Sequence, residues 1–178
     1  MLSAQVSQKP APDKQAMLAA LAAMFEPPDV IEIRAFHKGQ KRTDAGYFDG
    51  EHRQKLVDAA TKLNVSGAAV YVTMNRIDPQ LLGRYCNRIE RYAAATATDA
   101  NVIDRRWLLV DFDPVRPKDT SATGAQLEAA NARAQACCLA LKNEGWPDPL
   151  AGLSGNGWHL LYPLGLPNDD ESRDLVKG

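Results

Sequence analysis

What the chain lacks narrows its work first. Cysteine is scarce, three in 178 residues, and Cys86, Cys137 and Cys138 form one vicinal pair with no C-x-x-C spacing. Neither a disulfide framework nor a zinc cluster is expected, and the thiols read as reduced and mostly buried. No apolar run approaches the about eighteen residues that a membrane span requires; residues 68–72 and 107–110 are among the longest. No basic start followed by an apolar stretch opens the chain (MLSAQVSQKPAPDKQ), so no secretory signal is expected, the cytoplasm is the default compartment, and no membrane partner is foreseen. A surplus of one charge is also missing. Lys plus Arg total 21 against 22 Asp plus Glu, a net charge of -1, so no overall basic field attracts nucleic acid and any such contact must come from local patches. The composition, with 45% apolar and 24% charged residues, 12 Gly and 11 Pro, is not that of a disordered, collagenous or coiled-coil chain. A soluble globular protein remains, with one core or two small lobes sharing a cleft.

Residues 1–12 are polar, hold Pro10 and Pro12 and show no periodicity, which predicts a mobile tail. Beyond Asp13, a candidate N-cap, Met17, Leu18, Leu21, Met24 and Phe25 fall at helical spacing until Pro27-Pro28 stops the run. Residues 30–36 alternate as a strand does, and 45–48 read as its returning partner in a hairpin. Leu56, Val57, Ala60 and Leu63 share one face of a helix over 51–63, and the continuous apolar run 67–74 reads as a buried strand. Pro79 is placed to open a helix carrying Leu81, Leu82, Tyr85 and Ile89 to about residue 91. Residues 106–113 read as a strand ended by Pro114 and Pro117. A long helix over 123–143 follows, with Leu127, Ala130, Ala134, Cys137, Cys138 and Leu141 inward and Gly145 as its terminator. Two short apolar runs, 150–154 and 158–164, are joined by Gly155-Asn156-Gly157, a hairpin turn by its chemistry. From Asn168 a capped helix begins. Trp107 and Trp146 are expected in the core.

Two segments carry chemistry. In Leu108-Leu109-Val110-Asp111-Phe112-Asp113-Pro114 the alternation of a strand sends Asp111 and Asp113 to one face, their Cα atoms about 6.5 Å apart. The apolar residues before them imply a central strand, and two like charges at its end ask for a cation between them. Hard carboxylate oxygens suit Mg²⁺ or Mn²⁺, completed by phosphate oxygens and water. The bland alternative is a pair of acids that end a strand in solvent or meet Arg105, Arg106 or Arg116. In Ser154-Gly155-Asn156-Gly157-Trp158-His159 the glycines let backbone amides form an anion-holding concavity, while His159 and Ser154 offer donors to a phosphate. Taken alone, this segment is a hairpin followed by a structural histidine; the carboxylates upstream favour the phosphate reading. A third cluster, Arg34, His37, Lys38, Lys41 and Arg42, places five cationic positions in nine residues, with Phe36 and Tyr47 close by in the sequence, either a solvated loop or a nucleic-acid contact.

A hydrophobic strand ending in Asp-x-Asp, one long helix and a Ser-Gly-x-Gly-x-His hairpin together resemble the archaeo-eukaryotic primase superfamily, specifically the primase-polymerases of phages, plasmids and integrated elements. VDFDPVRPKDTSAT, GWPDP, HLLYPLGLPND, GYFDG and VYVTMN look like that group as well, so most of residues 28–176 take part. The resemblance implies an α+β fold, a primase-polymerase-like core with an N-terminal α/β portion over about 13–100 and a metal-binding RRM-like portion over about 101–178. It implies that Asp111 and Asp113 bind catalytic Mg²⁺ or Mn²⁺, and that His159 contacts the triphosphate of an incoming nucleotide within a motif that includes Ser154, Gly155, Asn156 and Gly157. The implied activity is template-directed nucleotidyl transfer by a DNA primase/polymerase. Its partners would be nucleoside triphosphates, single-stranded or primed DNA and a helicase domain or partner, with Arg34, Lys38, Lys41 and Arg42 as the nucleic-acid contact.

One departure stands out. The family carries a third carboxylate on an apolar strand well downstream of the histidine hairpin, followed by a basic residue, whereas Asp169, Asp170, Glu171 and Asp174 come too early and sit in a polar helix start. The expectation is therefore an N-terminal part of a longer protein, truncated at its C-terminus. Two alternatives stay open. A non-catalytic primase-like module would only bind nucleotide or nucleic acid. Residues 108–115 also resemble the first motif of haloacid-dehalogenase-like phosphatases, with Asp111 as nucleophile and Ser154 and Asp169-Asp170 as later motifs, although no lysine lies between them. Metal-dependent glycosyltransferases share the Asp-x-Asp and nothing else here.

Overall fold

In the computed structural model, residues 12–117, 120–154 and 156–177 are described. The expected tail thus lies outside the described residues except for Pro12. The chain forms a mixed α+β fold that divides into two compact units, residues 1–73 with 77–101, and residues 74–76 with 102–178. No described helix is long and apolar enough to cross a membrane.

The first unit begins with α1 (Lys14–Met24), whose N-cap Asp13 accepts the Ala16 N–H at 3.0 Å. Strands β1 (Val30–Phe36) and β2 (Thr43–Asp49) form the expected hairpin, with Val30 opposite Asp49 and Phe36 opposite Thr43. Helix α2 (Arg53–Val65) leads to β3 (Ala69–Val72), and the two-residue β4 (Ile89–Glu90) completes a four-stranded antiparallel sheet of order β3-β1-β2-β4. Ile31, Ile33 and Phe48 on one sheet face pack with Leu21 and Phe25 and with Leu56, Val57 and Ala60 of α2.

Three expectations for this unit fail. The 67–74 run is not a buried strand: β3 is an edge strand, with Tyr71 59% and Val72 38% exposed. Its apolar residues reflect β propensity rather than burial on two faces. No α-helix follows Pro79 either. A 3-10 turn spans Pro79–Gly83, its N-cap Asp78 accepting the Gln80 N–H, and then Asn87 takes φ 52 and Tyr92 φ 55. Left-handed residues cannot continue an α-helix; here they turn the chain so that Cys86 pairs with Tyr47 and β4 with β2. Cys86 is exposed rather than buried, while Cys137 and Cys138 are partly buried.

The second unit is built on β5 (Asp104–Phe112), α3 (Gly124–Asn143), β6 (Leu150–Leu153), β7 (Trp158–Pro167) and α4 (Asp170–Lys177). Helix α3 opens as expected: Thr123 and Gln126 cap it reciprocally, and Gly145 follows its end at φ 86. The sheet is antiparallel with the order β5-β7-β6. The central strand is therefore β7, and β5 stands at the edge, contrary to the expectation drawn from its apolar run. Leu108, Val110 and Phe112 pack with Ala134 of α3, Leu160 and Tyr162, whereas Leu109 is 40% exposed. Leu109 and Asp111, on the face away from α3, are exposed, so consecutive apolar residues do not signal a central position here. Trp146 meets the fully buried Tyr162 edge to face at 5.5 Å, as a core tryptophan should. Trp107 is half-buried.

Burial, with the Cys138 thiol second, pushes the Tyr162 phenol up to about 12. Burial also raises Tyr47, with the Glu32 carboxylate as the next cause. A phenol whose proton is held more tightly in the folded chain contributes stability that is complete below its unfolded value and lost as pH rises through the folded one. Stability should accordingly fall between about pH 10, the unfolded tyrosine value, and the folded value. In a spectrophotometric titration of the five tyrosines, Tyr162→Phe should remove the latest part of the tyrosinate signal; a late signal that survives this substitution would contradict the assignment.

Candidate functional site

The two chemistry-bearing segments meet through the pairing of β5 with β7. Asp111 stands directly opposite His159, as Phe112 stands opposite Trp158. Because Leu108, Val110 and Phe112 face α3, Asp111 takes the opposite face, and His159 shares it. The His159 Nε2 lies 3.3 Å from Asp111 Oδ1, with the two side chains 38% and 49% exposed. A pair so exposed contributes no more than about 1 kcal/mol, which leaves both groups free to exchange partners for a ligand. On its other side His159 pairs with Gly152 of β6. A Cβ at Gly152 would meet nothing within 4 Å, so the surface beside the imidazole is open.

Asp113 lies one residue past the end of β5, and the hairpin holds it there. A Cβ built on Gly157 would come within 2.6 Å of both Asp113 Oδ1 and the Phe112 carbonyl oxygen. Position 157 must therefore be glycine for backbone and carboxylate to approach so closely. Arg116 Nη2 is 3.7 Å from Asp113 Oδ2, an ion pair too long for a hydrogen bond. Arg116, one of the three arginines expected as bland partners, thus approaches a site carboxylate, and its i,i+3 spacing from Asp113 is the sequence signal for it.

Ser154 and Asn156 build the turn. The Gly157 N–H donates to Ser154 Oγ at 3.0 Å, and the Ser154 hydroxyl donates to the Gly157 carbonyl at 3.1 Å. Asn156 Oδ1 accepts the Ala122 N–H at 3.2 Å, tying the turn to the segment before α3. Both side chains hold the hairpin next to the carboxylates. Gly155 lies outside the described residues.

The expected nucleic-acid cluster is not brought together as one surface. Arg34 donates from Nε and Nη2 to Glu32 Oε2 at 2.9 and 2.6 Å and also to the Ala97 carbonyl, so its charge serves a buried carboxylate. Arg42 pairs with Asp44 at 3.4 Å and lies 4.9 Å from the centre of the Tyr92 ring. Lys38 and Lys41 are exposed on the hairpin loop. Tyr47, expected to flank the patch, is fully buried and donates its hydroxyl to Glu32 Oε1 at 3.0 Å. Phe36 is 45% exposed and packs edge to face on Tyr71 at 5.7 Å.

Among the described residues no group of three or more His, Cys, Asp or Glu side chains is arranged to hold a metal ion. What the site offers is two exposed carboxylates beside an imidazole. That donor set fits Mg²⁺ or Mn²⁺, because such ions are commonly held by one or two carboxylates with substrate phosphates and water supplying the rest. No family model, no curated protein and no solved structure matches the chain.

Gly157→Ala should cost on the order of 1–3 kcal/mol through overpacking and should displace the Asp113 carboxylate. The check is a denaturant melt compared with that of Gly152→Ala, where the added methyl meets open space. Equal stability of the two variants would contradict the close approach at position 157.

Proposed function

We propose that the face shared by Asp111 and His159 binds a nucleoside triphosphate together with Mg²⁺ or Mn²⁺, and that the chain serves template-directed nucleotidyl transfer in the manner of the archaeo-eukaryotic primase-polymerases. The observation that carries this reading is the cross-strand placement of His159 3.3 Å from Asp111, with Asp113 packed against the turn that precedes the histidine. The order β5-α3-β6-β7-α4 supports it further, since strand, helix, hairpin and helix in succession are the first five elements of a β-α-β-β-α-β unit, as the RRM-like portion requires.

In this reading Asp111 and Asp113 hold the metal, and His159 donates from Nε2 to a phosphate oxygen of the nucleotide. Ser154 and Asn156 position the hairpin, and Arg116 limits the repulsion between a phosphate and Asp113. A metal held by Asp111 and Asp113 would lower the pKa of a primer 3′-hydroxyl and would offset charge on the leaving pyrophosphate. Asp169 belongs to another task, since its Oδ1 accepts the Ser172 N–H at 2.8 Å at the start of α4. The contact to the template rests on Lys38 and Lys41, the two candidates whose side chains lie on the exposed loop.

Calorimetric titration of a deoxynucleoside triphosphate in the presence of Mn²⁺ tests the site. Binding should vanish with EDTA and fall by about tenfold or more in Asp111→Ala, the scale expected when one charge-assisted contact is lost. His159→Ala should weaken the triphosphate more than the metal. Unchanged binding in both Asp111→Ala and Asp113→Ala would overturn the assignment.

A further inference from the structure

The first unit holds a groove of its own, remote in sequence from the carboxylates. Its volume is about 690 Å³, within the range of about 300–1,000 Å³ usual for small-molecule sites. One wall is α2, where Lys55, Asp58, Ala59, Lys62 and Leu63 recur at helical spacing and share a face. The opposite wall comes from β2 and the chain around β4: Asp44, Phe48, Arg88, Ile89 and Arg91.

Charge is distributed unevenly in it. Five Lys or Arg side chains line the groove with His37, against two aspartates, and both aspartates are already engaged. Asp44 accepts from His37 Nε2 at 2.8 Å, from the Tyr92 N–H at 3.0 Å, and pairs with Arg42. Asp58 pairs with Lys14 at 2.8 Å, and that ammonium is the first cause holding its carboxyl below the ordinary range. Lys55 and Arg91, by contrast, have no salt bridge among the described residues, and Lys62 reaches Asp58 only through space, as the last of the causes that lower its carboxyl. Unneutralised cations around one concavity repel each other, and a bound anion relieves that repulsion. Between them lie Ala59, Leu63 and Ile89, an apolar surface that a bare phosphate would not use.

We propose that this groove is a second, metal-independent site for a phosphorylated small molecule of nucleotide size. Its phosphates meet Lys55, Lys62 and Arg91, and its apolar ring lies against Leu63 and Ile89. The proposal goes beyond the carboxylate site and survives or fails apart from it, since no carboxylate-held metal is required.

The test is titration of ATP, inorganic tripolyphosphate and a single-stranded oligothymidylate into the full chain in EDTA, which silences any metal-dependent site. ATP should bind, tripolyphosphate should bind more weakly, and Lys55→Gln with Lys62→Gln should weaken ATP by about tenfold or more, as expected for the loss of two charge-assisted contacts. Both lysines are exposed on α2, so the doubly substituted chain should melt as the parent does. No ATP binding in EDTA, or ATP binding unaffected by the double substitution, would overturn the proposal. Tripolyphosphate equal to ATP would remove the apolar part of the recognition and overturn it too. An oligothymidylate that displaces ATP and binds more tightly would reassign the groove to a nucleic-acid strand.

Discussion

The antiparallel register of β5 against β7 is the constraint on which the candidate site depends. A side chain changes face with every residue, so a slip of one position would carry Asp111 to the α3 side and bury its charge among Leu160, Tyr162 and Ala134. The apolar residues on either side of it prevent that slip. Leu108, Val110 and Phe112 can be covered by α3 only when Asp111 looks away from it. The close approach of Gly157 to Phe112 and Asp113 then fixes the end of the pairing, and the Ser154 and Asn156 hydrogen bonds hold the turn there. Packing on one face thus sets the chemistry on the other.

The first unit is organised around a different constraint, a fully buried carboxylate. Glu32 is 0% exposed, and taking such a charge out of water costs several kcal/mol unless its oxygens are satisfied. They are, by two donors from Arg34, the Tyr47 hydroxyl and the Ala97 N–H at 2.9 Å. Arg34 is the partner that neutralises the charge, so it belongs to the stability of this unit rather than to a surface. Tyr47 and Ala97 join strands to a loop far along the chain through the same group.

Local signals in the sequence were sound where short-range chemistry decides. Asp13 and Thr123 mark the starts of α1 and α3, Gly145 follows the end of α3, and the β1–β2 and β6–β7 hairpins lie where alternation and turn residues put them. Burial was less legible. An apolar run such as 67–74 or 107–110 looks the same whether one face is covered or two, and tertiary context placed both at sheet edges. The 79–91 segment has helical spacing, yet the positive φ of Asn87 and the pairing of Cys86 with Tyr47 decide its path. The site was legible as two motifs, because strand alternation and a glycine turn are local. That Asp111 faces His159 depends on the register of β5 against β7, whereas the approach of Arg116 to Asp113 is local, three residues along the chain. Cationic residues are not grouped in space as they are along the chain. Closeness in sequence grouped Arg34 with Lys38, Lys41 and Arg42, whereas the groove on α2 gathers Arg42 with Lys55, Lys62, Arg88 and Arg91 from segments far apart.

The central claim is that the strand end and the histidine hairpin act as one metal–nucleotide site. Paramagnetic broadening by Mn²⁺ in the amide spectrum tests it most directly, with and without a deoxynucleoside triphosphate. Resonances of Asp111, Phe112, Asp113, Gly157 and His159 should broaden first, at lower Mn²⁺ when nucleotide is present. Broadening that begins elsewhere and leaves these five sharp would contradict the account.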